Sequence, residues 1–215
     1  MKVKANKALI ISTLLCLLPI LLGLILYDRL PDEIAIHFDN AGRPDNYASK
    51  ALAVFGLPVL LAAINAYVHF RLGTDPKREN ASSALRQASR WALPLIALVL
   101  MPVTLFMAMG ASIPVIMVAK AIAGLMVVIC GNYLPKSKRN YTIGIKLPWT
   151  LDSEDNWRKT HRFAGFVWVA GGLILIANAF FAAPYVSLAV IALLIVLPFA
   201  YSYLAYARQQ GGEGE

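Results

Sequence analysis

Lys120 lies in an apolar run, residues 113–134, and no apolar run of this chain contains an Asp or Glu that could neutralise it. An ammonium at bilayer depth costs about 2.5–3.5 kcal/mol on insertion scales, which makes it a functional-site candidate by default. The alternative is a stem that snorkels toward the outer surface. At 1.5 Å per residue the side chain starts about 10–12 Å from the outer end of its run, a long reach for Lys.

A second group is His37, Asp39 and Asp45, in the polar stretch 29–49. Ile34, Ile36 and Phe38 alternate with Ala35, His37 and Asp39, so a short extended piece with one face against the protein is expected. Asp39-Asn40-Ala41-Gly42 then reads as a turn, with Gly42 free to take positive φ. That reading sets His37 beside Asp39, with Asp45 returning nearby. Three roles fit: a pH-sensitive His–carboxylate pair, half of a metal site, or hydrogen bonds that only tie down the loop. Asp28, Asp32, Glu33, Asp39 and Asp45 are also the acids from which Lys120 can draw a counter-charge, if one dips between the helices.

Enzyme signatures are missing. There is no His-Glu-x-x-His, Gly-x-Ser-x-Gly or Gly-x-x-x-x-Gly-Lys. The chain has three His; His69 and His161 both fall near the same membrane surface and, with Asp152 or Glu154, make a weak metal pattern. Cys16 and Cys130 lie in apolar runs as small apolar residues. No catalytic residue, metal or cofactor is assigned.

The elements that position these groups are membrane spans. Of 215 residues 59% are hydrophobic and 15% charged, and the mean hydropathy is +0.62. The charges gather in short segments, leaving six apolar runs near the ~20 residues needed to cross a bilayer: 8–27, 52–70, 91–109, 113–134, 163–181 and 185–206. Only helices satisfy their backbone alone in lipid, so an all-α integral membrane protein of six spans is expected. The first run follows Lys2, Lys4 and Lys7 and is too long for a signal-peptide core, so it reads as a retained anchor. Pro19, Pro58, Pro94, Pro102 and Pro198 each predict a kink.

Basic residues set the orientation. Lys2, Lys4 and Lys7, then Arg71, Lys77, Arg78, Arg86 and Arg90, then Lys136, Lys138, Arg139, Lys146, Arg158, Lys159 and Arg162, and finally Arg208 make 16 of the 20 Lys and Arg fall on one side. The positive-inside rule places that side, and both termini, in the cytoplasm. The net charge of +8 is thereby a topology signal facing anionic lipid, with no nucleic acid required.

Three helical hairpins result, without a convincing repeat between them. Gly110-Ala111-Ser112 joins spans three and four, and Ala182-Ala183 joins five and six. The expected divisions are a hairpin at 1–72 with its outer loop 29–49, a cytoplasmic linker at 73–90, a four-helix membrane region at 91–206 with a cytoplasmic loop at 131–162, and a disordered tail at 207–215. In that inner loop Pro135 stops the fourth helix and Trp149 suits the membrane–water boundary. Asp152 or Ser153 can cap the fifth helix, and Trp157 and His161, four apart, share a face. Composition alone equally allows a basic interfacial loop pinned by two Trp.

The run Gly131-Asn132…Pro135-Lys136…Asn140…Gly144-Ile145-Lys146…Pro148-Trp149-Thr150…Trp157…Thr160-His161-Arg162 resembles the signature of the SdpI family of bacterial immunity proteins. The outer Pro31…His37-Phe38-Asp39…Gly42…Asp45 pattern resembles the small domain of unknown function found with that signature. The resemblance implies a multipass protein of the bacterial cytoplasmic (inner) membrane that protects against a secreted membrane-active toxic peptide. It also implies a signalling role, in which a cytoplasmic repressor protein is held at the membrane. The candidate ligand- or partner-binding residues are then His37, Phe38, Asp39, Gly42 and Asp45 outside, Lys120 within the membrane, and Asn132, Pro135, Lys136, Asn140, Gly144, Pro148, Trp149, Trp157, His161 and Arg162 inside. The competing reading is a small transporter or proton-coupled protein that uses Lys120 and His37, and after it a membrane-embedded metalloenzyme.

Overall fold

The computed structural model describes residues 7–39 and 41–212. It is mostly helical, with one two-stranded sheet: α1 (Lys7–Leu17), α2 (Pro19–Leu26), β1 (Glu33–Phe38), β2 (Pro44–Ser49), α3 (Leu57–Thr74), α4 (Ser83–Ala108), α5 (Val115–Tyr133), α6 (Pro148–Asp152), α7 (Glu154–Phe181) and α8 (Val186–Gly212). Among the described residues six helical stretches are long and apolar enough to cross a membrane: Lys7–Arg29, Leu52–Thr74, Ser83–Ala108, Val115–Lys136, Glu154–Phe181 and Val186–Gln210. Each coincides with one apolar run of the sequence, and several extend into flanking polar residues.

Prolines shape the spans as their chemistry dictates. Pro19 has no N–H to continue the first helix, which breaks at Leu18 and restarts with Pro19 in its first turn. Ahead of Pro58 the backbone widens into a π-turn over Leu52–Gly56, closed by the Leu57 N–H on the Leu52 carbonyl. Pro94, Pro102 and Pro198 are carried inside continuous helices.

The chain divides into two compact units, residues 1–70 with 89–119 and residues 71–88 with 120–215. In the first, Leu26, Leu30, Ile34, Ala53, Val54 and Leu105 form an apolar cluster that anchors the sheet through Ile34. A Cβ on Gly23 would lie 2.5 Å from the Val54 side chain, so the absence of one lets these helices approach.

In the second unit α5 and α7 meet along a seam of four glycines. A Cβ on Gly124 would sit 2.8 Å from the Gly172 carbonyl oxygen, and one on Gly131 would sit 2.9 Å from that of Gly165. Gly124 and Gly131, like Gly165 and Gly172, are seven apart, two turns on one face, so the helices run antiparallel in close backbone contact. Helix α8 also packs antiparallel on α7. Phe163 stacks on Tyr201 at one end, the Trp168 indole donates to the Leu194 carbonyl midway, and Asn178 donates to Ser187 at the other end. Asn178 also caps the intervening turn, accepting from the Ala183 N–H at 2.9 Å, while Ala182 takes left-handed φ of 50°. Helix α8 continues to Gly212, into the segment 207–215 expected as the tail, of which residues 213–215 lie outside the described residues. Ala205, Ala207 and Arg208 favour helix, and Gln209 is held by Asp155.

Candidate functional site

The polar stretch 29–49 is a β-hairpin. Strands β1 and β2 are antiparallel, with Ile34 opposite Ala48 and a register shift between Ala35 and His37. Its turn is built by Asp39, whose Oδ1 accepts from the N–H groups of Ala41 and Arg43 while Oδ2 takes the Arg43 guanidinium at 2.8 Å. The Arg43 backbone N–H, followed by its side chain and the Ala41 N–H, holds the Asp39 carboxyl below the usual carboxylate range. Gly42 takes φ of 80°, as the turn requires.

His37 does not pair with Asp39. The strand ends at Phe38, so Asp39 rolls into the turn instead of continuing the alternation, and His37 Nδ1 meets Asp45 Oδ1 at 2.5 Å across the hairpin. That pair is open to solvent, with side chains 68% and 44% exposed. Phe38 is half-buried. Asp32 lies 3.6 Å from Lys50, whose ammonium also donates to the Leu30 carbonyl and covers the Tyr27 ring. Lys120 is half-buried in α5 and has no hydrogen bond or ion pair within its unit among the described residues.

The segment 131–162 is a tightly wired structure. Asn140, fully buried, accepts from the N–H groups of Thr142 and Ile143 through Oδ1 and donates to the Lys138 carbonyl. Arg139 Nη1 closes the end of α6, donating to the Leu151 and Asp152 carbonyls at 2.9 and 2.8 Å. Thr150 accepts from the Leu147 N–H at the start of α6, where Pro148 occupies the first turn. Ser153, rather than Asp152, caps α7 by accepting from the Asn156 N–H.

Trp157 and His161 form the centre of the segment. Their rings stack with centroids 3.9 Å apart, and the Trp157 indole donates to the Ser137 carbonyl at 2.8 Å. His161 Nε2 faces the Ile145 N–H at 3.0 Å, and Nδ1 faces the Trp157 carbonyl at 2.7 Å. An N–H can only donate and a carbonyl only accept, so these partners assign the neutral imidazole with its proton on Nδ1. Gly144 passes close over the two rings: its φ is 125°, and a Cβ there would fall 2.5 Å from His161 Nε2. Trp149 packs against Phe199, Tyr203 and Tyr206 and donates to Ser202.

Residues 71–88 complete this arrangement. Lys138 N–H donates to the Asn80 carbonyl, Asn80 Nδ2 returns to the Arg139 carbonyl, and Ser82 N–H donates to Ser137 Oγ. Asp75, 6% exposed, accepts from the Thr142 hydroxyl and the N–H groups of Tyr141 and Lys77. Burial raises its carboxyl, but these donors together outweigh burial and hold it below the ordinary range. Sequence reasoning missed Asp75, Asn80 and Ser82, which occupy an unremarkable polar linker with no local pattern to mark them.

The signature residues therefore divide. Asn140, Gly144, Trp149, Trp157 and His161 are built into the structure, whereas Asn132, Pro135, Lys136, Pro148 and Arg162 remain exposed. His161 has both ring nitrogens taken and His69 Nε2 lies 3.0 Å from Ser12 Oγ, and among the described residues no cluster of three metal-ligating side chains occurs. Ser12 also accepts from Asn65, which donates to Thr13 as well and whose buried Oδ1 has no partner among the described residues. These polar residues within apolar runs were a signal that the sequence offered.

Six apolar helices, a polar hairpin and a motif segment wired to its flanking helices define a multipass membrane protein. Residues 136–202 match the SdpI/YfhL protein family and residues 14–62 match a domain of unknown function, DUF1648. The chain is 31% identical over 208 residues to the immunity protein SdpI of Bacillus subtilis (strain 168), covering 95% of this chain and 99% of that protein. The chain belongs to the SdpI family. No solved structure matches it.

Proposed function

We propose that this is an immunity-type protein of the bacterial inner membrane, which protects the cell from a secreted membrane-active peptide recognised at its β-hairpin. Its six spans form three helical hairpins with both termini in the cytoplasm, an orientation supported by the basic residues on alternate segments. The hairpin then faces outward and the signature segment inward. The observation carrying this reading is a contrast between the two. His37 and Asp45 spend their polar atoms on an exposed pair, whereas the signature's buried groups are consumed by internal bonds. The near end-to-end likeness to an immunity protein supports the class. No catalysis and no direct nucleic-acid contact are part of this function.

The test is survival of a sensitive bacterium expressing this chain and challenged with a panel of secreted membrane-active peptides. Protection that falls in His37→Ala and Asp45→Asn, at unchanged protein level, supports the reading. Wild-type expression without any gain in survival across the panel overturns it.

Recruitment of a cytoplasmic repressor is a second reading, favoured by the exposure of Asn132, Pro135, Lys136, Pro148 and Arg162 within a conformationally fixed segment. Substitutions there should release a soluble partner and spare protection. The transporter alternative requires substrate- or pH-dependent flux in proteoliposomes that Lys120→Met abolishes.

A further inference from the structure

Helices α7 and α8 leave a groove of about 490 Å³ at the end where α7 begins, lined by Lys159, Tyr201, Leu204, Ala205, Arg208 and Gln209. Its lining changes character along α8. Leu204 lies two and three turns along α8 from Leu197 and Leu193, exposed apolar residues on the same helix face, so this side of the groove continues the apolar surface of the span. Tyr201 lies flat on Phe163, with centroids 4.4 Å apart, and makes a rigid aromatic wall. Beyond it stand two cations.

Those cations are placed differently. Lys159 is fixed by Asp155 at 2.6 Å, and Gln209 reaches the same carboxylate oxygen from α8 at 3.3 Å, which ties the two helix ends together. Asp155 also binds Arg158 at 2.9 Å, so its single negative charge is already met by two positive ones. Arg208 has no hydrogen bond or ion pair among the described residues. Among the described residues the groove thus carries an excess of positive charge beside an apolar wall, at the level of the Trp149, Tyr203 and Tyr206 rings. Such aromatic clusters mark the headgroup zone of a bilayer.

We propose that this groove is a binding site for one anionic phospholipid. Its phosphate is held between Lys159 and Arg208, and the acyl chain adjoining it runs along Tyr201 and Leu204 onto the span. Arg provides a planar fork suited to phosphate oxygens, and Lys adds a point charge. The volume lies within the usual range for a ligand of headgroup size. The site depends on neither toxin recognition nor the side of the membrane on which it lies.

The test is native mass spectrometry of the full chain released from nanodiscs of equal phosphatidylglycerol and phosphatidylcholine. The wild type is expected to retain one phosphatidylglycerol in preference to phosphatidylcholine. Each of Lys159→Gln and Arg208→Gln should weaken that preference by about fivefold, in line with about 1 kcal/mol per basic residue at an anionic surface. The double variant should retain no preferred lipid. Arg71→Gln with Lys138→Gln removes two exposed cations elsewhere in the same unit and should leave the retained lipid in place. An equal loss in that control would mean diffuse charge attraction and would overturn the site. Displacement of the lipid by inorganic phosphate alone would also overturn it, since the groove would then be an ion site without a role for the acyl chain.

Discussion

His161 lies flat against Trp157, ring centroid to ring centroid 3.9 Å, and uses its outward nitrogen to accept the Ile145 N–H. One residue therefore fixes both a helix face and the irregular chain that crosses it. His161→Phe keeps a ring for stacking but leaves the Ile145 N–H without its acceptor. The expected loss is about 1–3 kcal/mol, read as a lower thermal midpoint in detergent. The neighbouring exposed Arg162→Ala should move it by no more than about 0.5 kcal/mol. Equal effects at the two positions would remove the special status given to His161.

Asp75 makes the motif segment acid-sensitive. Its folded carboxyl is held below the unfolded value of about 3.9. The stabilisation is therefore complete above that unfolded value and is lost as pH falls through the folded one. Thermal midpoints measured from about pH 6 down to about pH 3 should drop for the wild type. In Asp75→Asn the midpoint should start lower and this part of the acid slope should vanish. An acid slope of equal steepness in both proteins would falsify the assignment.

The glycine seam predicts steric intolerance with a built-in control. Gly131→Val or Gly172→Val places carbon against backbone carbonyls and should cost at least about 1–3 kcal/mol. Gly73→Ala meets nothing within 4 Å and should cost nothing. Denaturant unfolding of the purified proteins reads the difference, and a Gly172→Val protein as stable as wild type would refute the close approach.

In the hairpin, structure and recognition should separate. His37→Ala breaks an exposed pair and should lower protection while costing at most about 1 kcal/mol of stability. Asp39→Ala removes the acceptor for two backbone N–H groups and should loosen the turn itself, seen as faster amide exchange at Ala41 and Arg43.

Among the described residues Lys120 has no ionic partner within its unit, so Lys120→Met is expected to raise the thermal midpoint by relieving up to about 2.5–3.5 kcal/mol of insertion cost. A concurrent loss of protection would mark the ammonium as functional. Unchanged folding, expression and protection together would reduce it to a tolerated side chain.

The six spans were legible because long apolar runs have few alternatives in lipid, and β1 was legible from its alternation. Strand β2 was not: Pro44, Asp45, Asn46 and Tyr47 are all exposed and leave no periodic trace. The shared face of Trp157 and His161 followed from their spacing, but the Ile145 contact depends on a chain reversal that spacing does not encode. The glycine seam was written as two seven-residue intervals, 124 to 131 and 165 to 172, and only its partner helix was unknowable. Asp75 and Asn80 were hidden because most of their partners lie some sixty residues away, where no local pattern points to them.

The reciprocal bonds from Asn80 and Ser82 to Ser137, Lys138 and Arg139 bear on how such chains can be recombined. The two family matches, 14–62 and 136–202, invite a splice in the polar stretch between the second and third spans. A crossover there would separate the C-terminal half from the short strip of backbone on which its signature is sewn. Chimeras should therefore inherit residues 71–88 from the same parent as the signature, whatever the origin of the hairpin.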